Sequence, residues 1–224
     1  MRESLSRREL AFRSIRFAKH QTIFASGDAA ESLYFIESGQ VKLLMLSPEG
    51  KECLLAIHTS GDTFGERCLT AADPREESAI TMADTVVKEL PCEIFVEHLK
   101  RHSLLEGFVD YLANRVAEQQ RVIANLITVD SEHRLGETLL VLARKLGRPD
   151  PFSTRIERKI THEELSAMVG TTRPRITSFM LQFRALGLIE ITPEHFLLIK
   201  EKPLSDYLTS RSDSRRSPQT SQAV

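Results

Sequence analysis

Hydrophobic residues change their period along this chain, and the change divides it. From Gln21 to about Pro91 they come in short β-branched and aromatic runs, "TIF", "SLYFI", "QVKLLML", "ECLLAI", "SAITM" and "TVVKEL", too short for helices. Gly27, Gly39, Gly50 and Gly61 punctuate them 11 or 12 residues apart, amid Ser-Gly and Pro-Glu-Gly turn signals. Strands at that spacing predict an antiparallel β barrel or jelly roll, whose inside is a natural ligand cavity. The longest connection without strand character, "FGERCLTAADPREESA" over residues 64–79, reads as a binding loop on a rigid scaffold.

Past "PCEIFVEHLKRH" the period lengthens. Leu105, Val109, Leu112, Val116, Gln119, Ile123 and Leu126 recur at alternating steps of four and three, the seam of a coiled coil. Such a helix is on the order of 33 Å long. A seam this narrow favours a partner helix over the chain's own barrel, so a parallel homodimer is expected. Its polar member, Gln119, fixes register or meets a ligand.

A further helix, "SEHRLGETLLVLARKLG", closes at Gly147. In "KITHEELSAMVG", Thr161 stands three residues before Glu164, a capping box ahead of Leu165, Met168 and Val169. Gly170 makes the turn, and Thr171 or Thr172 caps a second helix with Ile176, Phe179, Met180, Phe183 and Leu186 on one face. With Thr172 as N-cap, Pro174 falls at the second helical position, where its missing N–H loses no intrahelical bond. "LIEI", "TPEH" and "FLLI" then make a hairpin, which completes a winged helix-turn-helix.

The predicted class is α+β in two domains. Residues 1–103 form a sensor β jelly roll, 104–128 a coiled-coil dimerisation helix and 129–203 the winged helix-turn-helix, and the Ser-rich stretch 204–224 is a disordered tail. At 224 residues, with 41% hydrophobic and 27% charged, the chain has the composition of a soluble protein with two modest cores. No apolar run approaches a membrane span and no signal peptide is visible, so a cytoplasmic protein without membrane contact is expected.

Charge sharpens the division. Residues 1–130 carry 15 Lys and Arg against 20 Asp and Glu, whereas residues 131–224 carry 15 against 11. Between Leu165 and Ile189 stand Arg173, Arg175 and Arg184 and no acid, as a helix entering a DNA groove requires. Cys53, Cys68 and Cys92 match neither a disulfide framework nor a metal pattern and read as small buried hydrophobes. No phosphate loop, zinc motif or nucleophile elbow is present, and no catalytic constellation or enzyme activity is expected.

The order barrel, long helix, winged helix resembles the cyclic AMP receptor protein/fumarate-nitrate reduction regulator (CRP/FNR) family. The stretches that carry the likeness are "SLYFIESGQVKLL", "PEGKE", "SGDTFGE", "ESA", "NLITVDSEHRLGETLLVLA" and "ITHEELSAMVGTTRPRI", spread over about residues 21–199. The resemblance implies a homodimeric transcription regulator that binds a palindromic site in double-stranded DNA and contacts RNA polymerase. It also implies that the quoted loop is a cyclic-nucleotide phosphate cassette.

In that cassette Gly65 and Glu66 correspond to the family's Gly-Glu pair, the glutamate accepting from the ribose hydroxyl. The family's phosphate-binding Arg-Ser is here Glu77 and Ser78, so a bidentate cation has become a carboxylate. The central helix contributes Arg115, and its two purine-contacting hydroxyl residues are replaced by Gln119 and Gln120. A cyclic nucleotide or other small effector remains open, but not cyclic AMP held in the conventional way. Arg75 or Arg67 would supply a substitute charge; alternatively Glu77 pairs with one of them, the pocket stays empty and the regulator is constitutive. No cysteine precedes Cys53, which excludes the family's iron-sulfur cluster. No histidine stands out as a haem ligand, and His58 reads as structural.

On the DNA side Arg173 matches the recognition-helix arginine. The glutamate that follows it in the family is Pro174, and a second base-reading arginine is Ser178. Arg173, Arg175, Thr177 and Ser178 form the expected base-reading set, with Thr171 and Thr172 toward phosphate. A cyclic-nucleotide regulatory module that binds no DNA would share the barrel but has no use for "ITHEELSAMVGTTRPRI".

Overall fold

The computed structural model describes residues 13–48, 50, 52–70, 74–157 and 160–216. The chain separates into two compact units, Met1–Val122 and Ile123–Val224. Among the described residues eight strands build the first: β1 (Arg13–Phe17), β2 (Thr22–Phe24), β3 (Ser32–Ser38), β4 (Gln40–Leu46), β5 (Glu52–Thr59), β6 (Thr63–Phe64), β7 (Ser78–Thr81) and β8 (Thr85–Pro91). They pair antiparallel in two four-stranded sheets, ordered β1-β8-β3-β6 and β2-β7-β4-β5.

Both sheets feed one core. Phe24, Tyr34, Ile36, Val41, Leu43, Phe64, Ala79 and Val87 form a single buried cluster, with Tyr34 and Phe64 stacked at 5.3 Å. Because side chains alternate along a strand, the other face of β3 presents Leu33 and Phe35. These pack with Leu90 and with Phe95 and Leu99 of α1 (Cys92–Arg101). Burial on both faces explains why "SLYFI" is an unbroken apolar run rather than an alternation.

Strand β1 was not anticipated. Its Ile15 and Phe17 alternate with Ser14 and Arg16 and pack on the core, and it lies in register beside β8, Arg13 opposite Glu89. The long helix α2 runs Leu105–Thr128. Phe108 is buried against the α1 cluster, with Tyr111 and Leu112 partly covered. The seam positions Leu105, Val109, Val116, Ile123 and Leu126 are 46–58% exposed, so the chain leaves an apolar stripe open to solvent. Among the described residues no helix is long and apolar enough to cross a membrane.

The second unit contains α3 (Ser131–Leu146), β9 (Gly147–Asp150), β10 (Ser153–Ile156), α4 (His162–Val169), α5 (Arg173–Ala185), β11 (Ile189–Ile191), β12 (Leu197–Ile199) and α6 (Glu201–Arg216). The expected wing hairpin, β11 and β12, belongs to a four-stranded antiparallel sheet, β11-β12-β10-β9. Pro149 hid the outer strand, since proline is tolerated only where a strand lies at an edge, as β9 does.

The expected disordered tail over 204–224 needs correction, because α6 continues to Arg216; residues 217–224 lie outside the described residues. Leu204 and Leu208, one turn apart, are fully buried. Leu208 seats against Gly136 of α3, where a Cβ would come within 2.6 Å of its Cδ2. Tyr207 donates to Glu132 Oε1 at 2.6 Å, and Arg211 bridges to Glu132 and Asp130. Leu208→Ala is therefore expected to lower stability by about 2–3 kcal/mol, measured by urea denaturation of the full chain. An unchanged midpoint would mean that this segment does not dock.

Candidate functional site

The barrel loop begins with backbone geometry. Gly65 ends β6 at φ 82°, ψ 24°, a left-handed conformation that glycine adopts without strain, and a 3-10 turn over Glu66–Leu69 follows. A Cβ at Gly65 would also press on Arg75 Nη1 at 3.0 Å and on the Ser32 carbonyl oxygen at 3.3 Å. The turn aims Glu66 at α2, where its Oε1 pairs with Arg115 Nη1 at 2.8 Å. Glu66 Oε2 is buried without a hydrogen-bond partner among the described residues.

Arg115 also donates to the Thr63 carbonyl at 3.4 Å, as does the Tyr111 hydroxyl at 3.1 Å. Burial weighs against the Arg115 charge, but the Glu66 carboxylate and Tyr111 outweigh it and hold the guanidinium above its ordinary pKa. Gly65, Glu66 and Arg115 thus come together as expected. The Ser78 hydroxyl accepts from the Ser26 N–H at 3.0 Å. Glu77 is half-buried, and Gln119 and Gln120, beyond Arg115 on α2, are exposed.

The pairing of Glu77 with a loop arginine is not what the structure holds. Arg67 pairs with the neighbouring Glu76 at 2.8 Å and donates from Nε to the Pro74 carbonyl at 3.0 Å. Arg75 turns into the barrel: it is 2% exposed, with its guanidinium carbon 3.8 Å above the Phe24 ring. An odd charge within a loop of alternating acids and bases gives no sign of that inward turn.

Of the cysteines, Cys53 is exposed, against expectation, while Cys68 and Cys92 are half-buried and in contact, the Cys92 thiol donating to the Cys68 carbonyl at 2.9 Å. Burial pushes the Cys68 thiol pKa well up. His58 is buried with its ring stacked on Phe64. Among the described residues no cluster of His, Cys, Asp or Glu could hold a metal ion.

In the second unit the Thr161 and Glu164 capping box forms in both directions, at 2.9 and 3.1 Å, and starts α4. Gly170 turns the chain at φ 66°, ψ 48°. Thr172 is the N-cap of α5 by backbone geometry, without a side-chain capping bond, and Pro174 sits in the first turn as expected. Ile176, Met180 and Phe183 are buried beneath α5; Phe179 is half-buried, and Leu186 is exposed, which narrows the expected apolar face.

Arg173, Arg175, Ser178 and Thr172 are exposed and Thr171 half-buried. Thr177 faces α4 instead: its hydroxyl lies 2.9 Å from His162 Nδ1 and donates to the Arg173 carbonyl at 3.1 Å. Two buttresses escaped sequence reasoning. Arg134 donates to the carbonyls of Val169 and Val129 at 2.9 and 2.8 Å, and Gln182 joins Glu132 and Tyr207 at 3.2 Å each. Their partners are backbone groups or lie far along the chain, so no local pattern marks them.

Residues 14–102 match the model of the cyclic nucleotide-binding domain, and residues 133–207 that of the Crp-like helix-turn-helix domain. The chain is 31% identical over 200 residues to a global nitrogen regulator of Synechocystis sp., covering 86% of this chain and 87% of that one. It is 28% identical over 192 residues to a CRP-like cAMP-activated global transcriptional regulator of Mycobacterium tuberculosis, covering 85% and 86%. A solved CRP-family transcriptional regulator from Thermus thermophilus superposes with a TM-score of 0.73 at 27% identity, covering 87% of this chain and 96% of that one.

Proposed function

The chain belongs to the CRP/FNR family of DNA-binding transcription regulators, and from that premise we propose that it acts as a cytoplasmic homodimer on a palindromic DNA site and contacts RNA polymerase there. The functional division proposed is residues 1–103 as sensor, 104–128 as dimerisation helix and 129–216, with the docked α6, as DNA-binding domain. The observation that carries the reading is the outer face of α5, where Arg173, Arg175 and Ser178 are exposed on a helix free of acids. Two such helices related by a two-fold axis reach successive major grooves about 34 Å apart.

Arg173, Arg175 and Ser178 read base edges, with Thr171 and Thr172 on phosphate. Thr177 serves chiefly to hold α5 on α4 through His162. Gly65, Glu66, Glu77, Ser78 and Arg115, with Gln119 and Gln120 of α2, frame an effector site in the barrel. Its occupancy biases the α2 pair and through it the recognition helices. Glu77 repels a phosphate where the family places an arginine, so cyclic AMP in its conventional pose is not the effector. A second reading, a constitutive regulator, is favoured by the inward-turned Arg75.

Footprinting of the full-length protein on genomic fragments tests both readings. The expected result is protection of an inverted repeat whose halves lie one helical turn apart, unchanged by cyclic AMP. Uniform protection without a preferred site would overturn the regulator reading. Titration calorimetry with cyclic AMP gives no micromolar binding if Glu77 acts as argued; such binding, abolished by Glu66→Ala, would restore the conventional effector.

A further inference from the structure

Arg75 is held by more contacts than a loop side chain waiting for a ligand needs. Nη2 donates to the Ser32 carbonyl at 2.6 Å and Nη1 to the Gly65 carbonyl at 3.4 Å. One face of the guanidinium covers Phe24 at 3.8 Å, and Tyr34 lies 5.7 Å away. The backbone is pinned as well: the Arg75 N–H donates to the Asp28 carbonyl at 2.9 Å, and its carbonyl accepts from the Gly27 N–H at 2.8 Å. The head therefore spans from the aromatic core to the carbonyl that opens the Glu66–Leu69 turn.

A buried arginine at this place is either a receptor for an anion or a replacement for one. A receptor has to present its donors along an open approach. Arg75 is 2% exposed, with two donors turned to carbonyls and one face covered by a ring. Loss of hydration is offset within the chain by charge-assisted hydrogen bonds and the cation–π contact, without a guest. The surrounding groups also disfavour a phosphate. Glu77 is half-buried on the same loop, the Ser78 hydroxyl is engaged with the Ser26 N–H, and Arg115 is neutralised by Glu66.

We propose that Arg75 is a tethered occupant of the barrel. Its guanidinium fills the space between Phe24 and Gly65, holds the Glu66–Leu69 turn in its ordered form from within, and excludes phosphate-bearing effectors. This rests on reading the barrel as the effector site and specifies how that site is regulated: the loop is ordered by its own side chain.

The test is hydrogen exchange on the full-length protein, read at the amides of Gly27 and of residues 66–70. Arg75→Ala is expected to speed exchange there by about tenfold or more while leaving α4 and α5 unchanged. Ethylguanidinium at about 10 mM, entering the vacated space, restores slow exchange, whereas sodium chloride at equal concentration does not. In the unaltered protein, inorganic phosphate and cyclic AMP leave these amides as they were.

Unchanged exchange in Arg75→Ala overturns the proposal. So does a saturable slowing of these amides by phosphate or cyclic AMP in the unaltered protein that Arg75→Ala abolishes, since Arg75 would then be an anion receptor. If Arg75→Ala fails to fold, Arg75→Lys, which keeps the charge and loses the fork, carries the same comparison. Because the readout lies within the barrel, absence of DNA binding would sink the regulator reading and leave this result intact.

Discussion

Arg173→Ala is expected to weaken binding to the specific palindrome by about 1–3 kcal/mol per half-site. Two half-sites double this, giving a loss between roughly thirtyfold and twenty-five-thousandfold for the dimer. Arg173 is the first residue of α5, exposed, in a helix whose first turn carries no acid. No carboxylate in that turn competes for the guanidinium, and a helix N-terminus pointed into the major groove brings such a residue to a base edge. Because arginine reads guanine bidentately, its removal relaxes preference at one base pair per half-site.

The measurement is fluorescence anisotropy at fixed salt on the palindrome, its single-base variants and a random duplex. Random-sequence affinity is expected to change little, since non-specific binding rests on many phosphate contacts. Equal weakening on both duplexes would make Arg173 a backbone contact. Base reading would then fall to Arg175 and Ser178 alone.

What could be read from the chain depended on whether the determining contact was local. The strands β3, β4 and β5 were legible because Gly turns bound short apolar runs. The start of α4 was legible because Thr161 and Glu164 cap it within three residues. β1 was missed although Ile15 and Phe17 alternate with Ser14 and Arg16; its burial depends on β8, some seventy residues away. α6 was missed because only Leu204, Tyr207 and Leu208 among many serines and charges make its apolar stripe, and the groove they need is formed by Gly136 of α3. In the site, Gly65, Glu66 and Arg115 followed from motif correspondence, whereas the inward turn of Arg75 follows from carbonyls at Ser32 and Gly65 that no side-chain pattern records. The diversion of Thr177 to His162 is of the same kind, a choice between two hydroxyl partners settled by how α4 meets α5.

The α2 stripe supplies the other large effect. Ile123→Asp is expected to convert the protein to a monomer and to weaken binding to the palindrome by about a hundredfold or more. In the isolated protomer Ile123 is 58% exposed, so an aspartate there removes little packing and leaves secondary structure unchanged. In a parallel pair the two copies of a seam residue face each other, and two carboxylates would be desolvated side by side without counter-ions. That penalty falls on association alone. Val116 would be a poorer choice, because it adjoins Arg115 and a change there would disturb the Glu66 pair. Arg121→Asp, on the outward side of the same helix, alters charge more and should leave both dimerisation and DNA binding nearly intact. Sedimentation velocity with anisotropy separates the two variants. A stable dimer of Ile123→Asp would place the interface elsewhere and leave the open stripe on α2 without a partner.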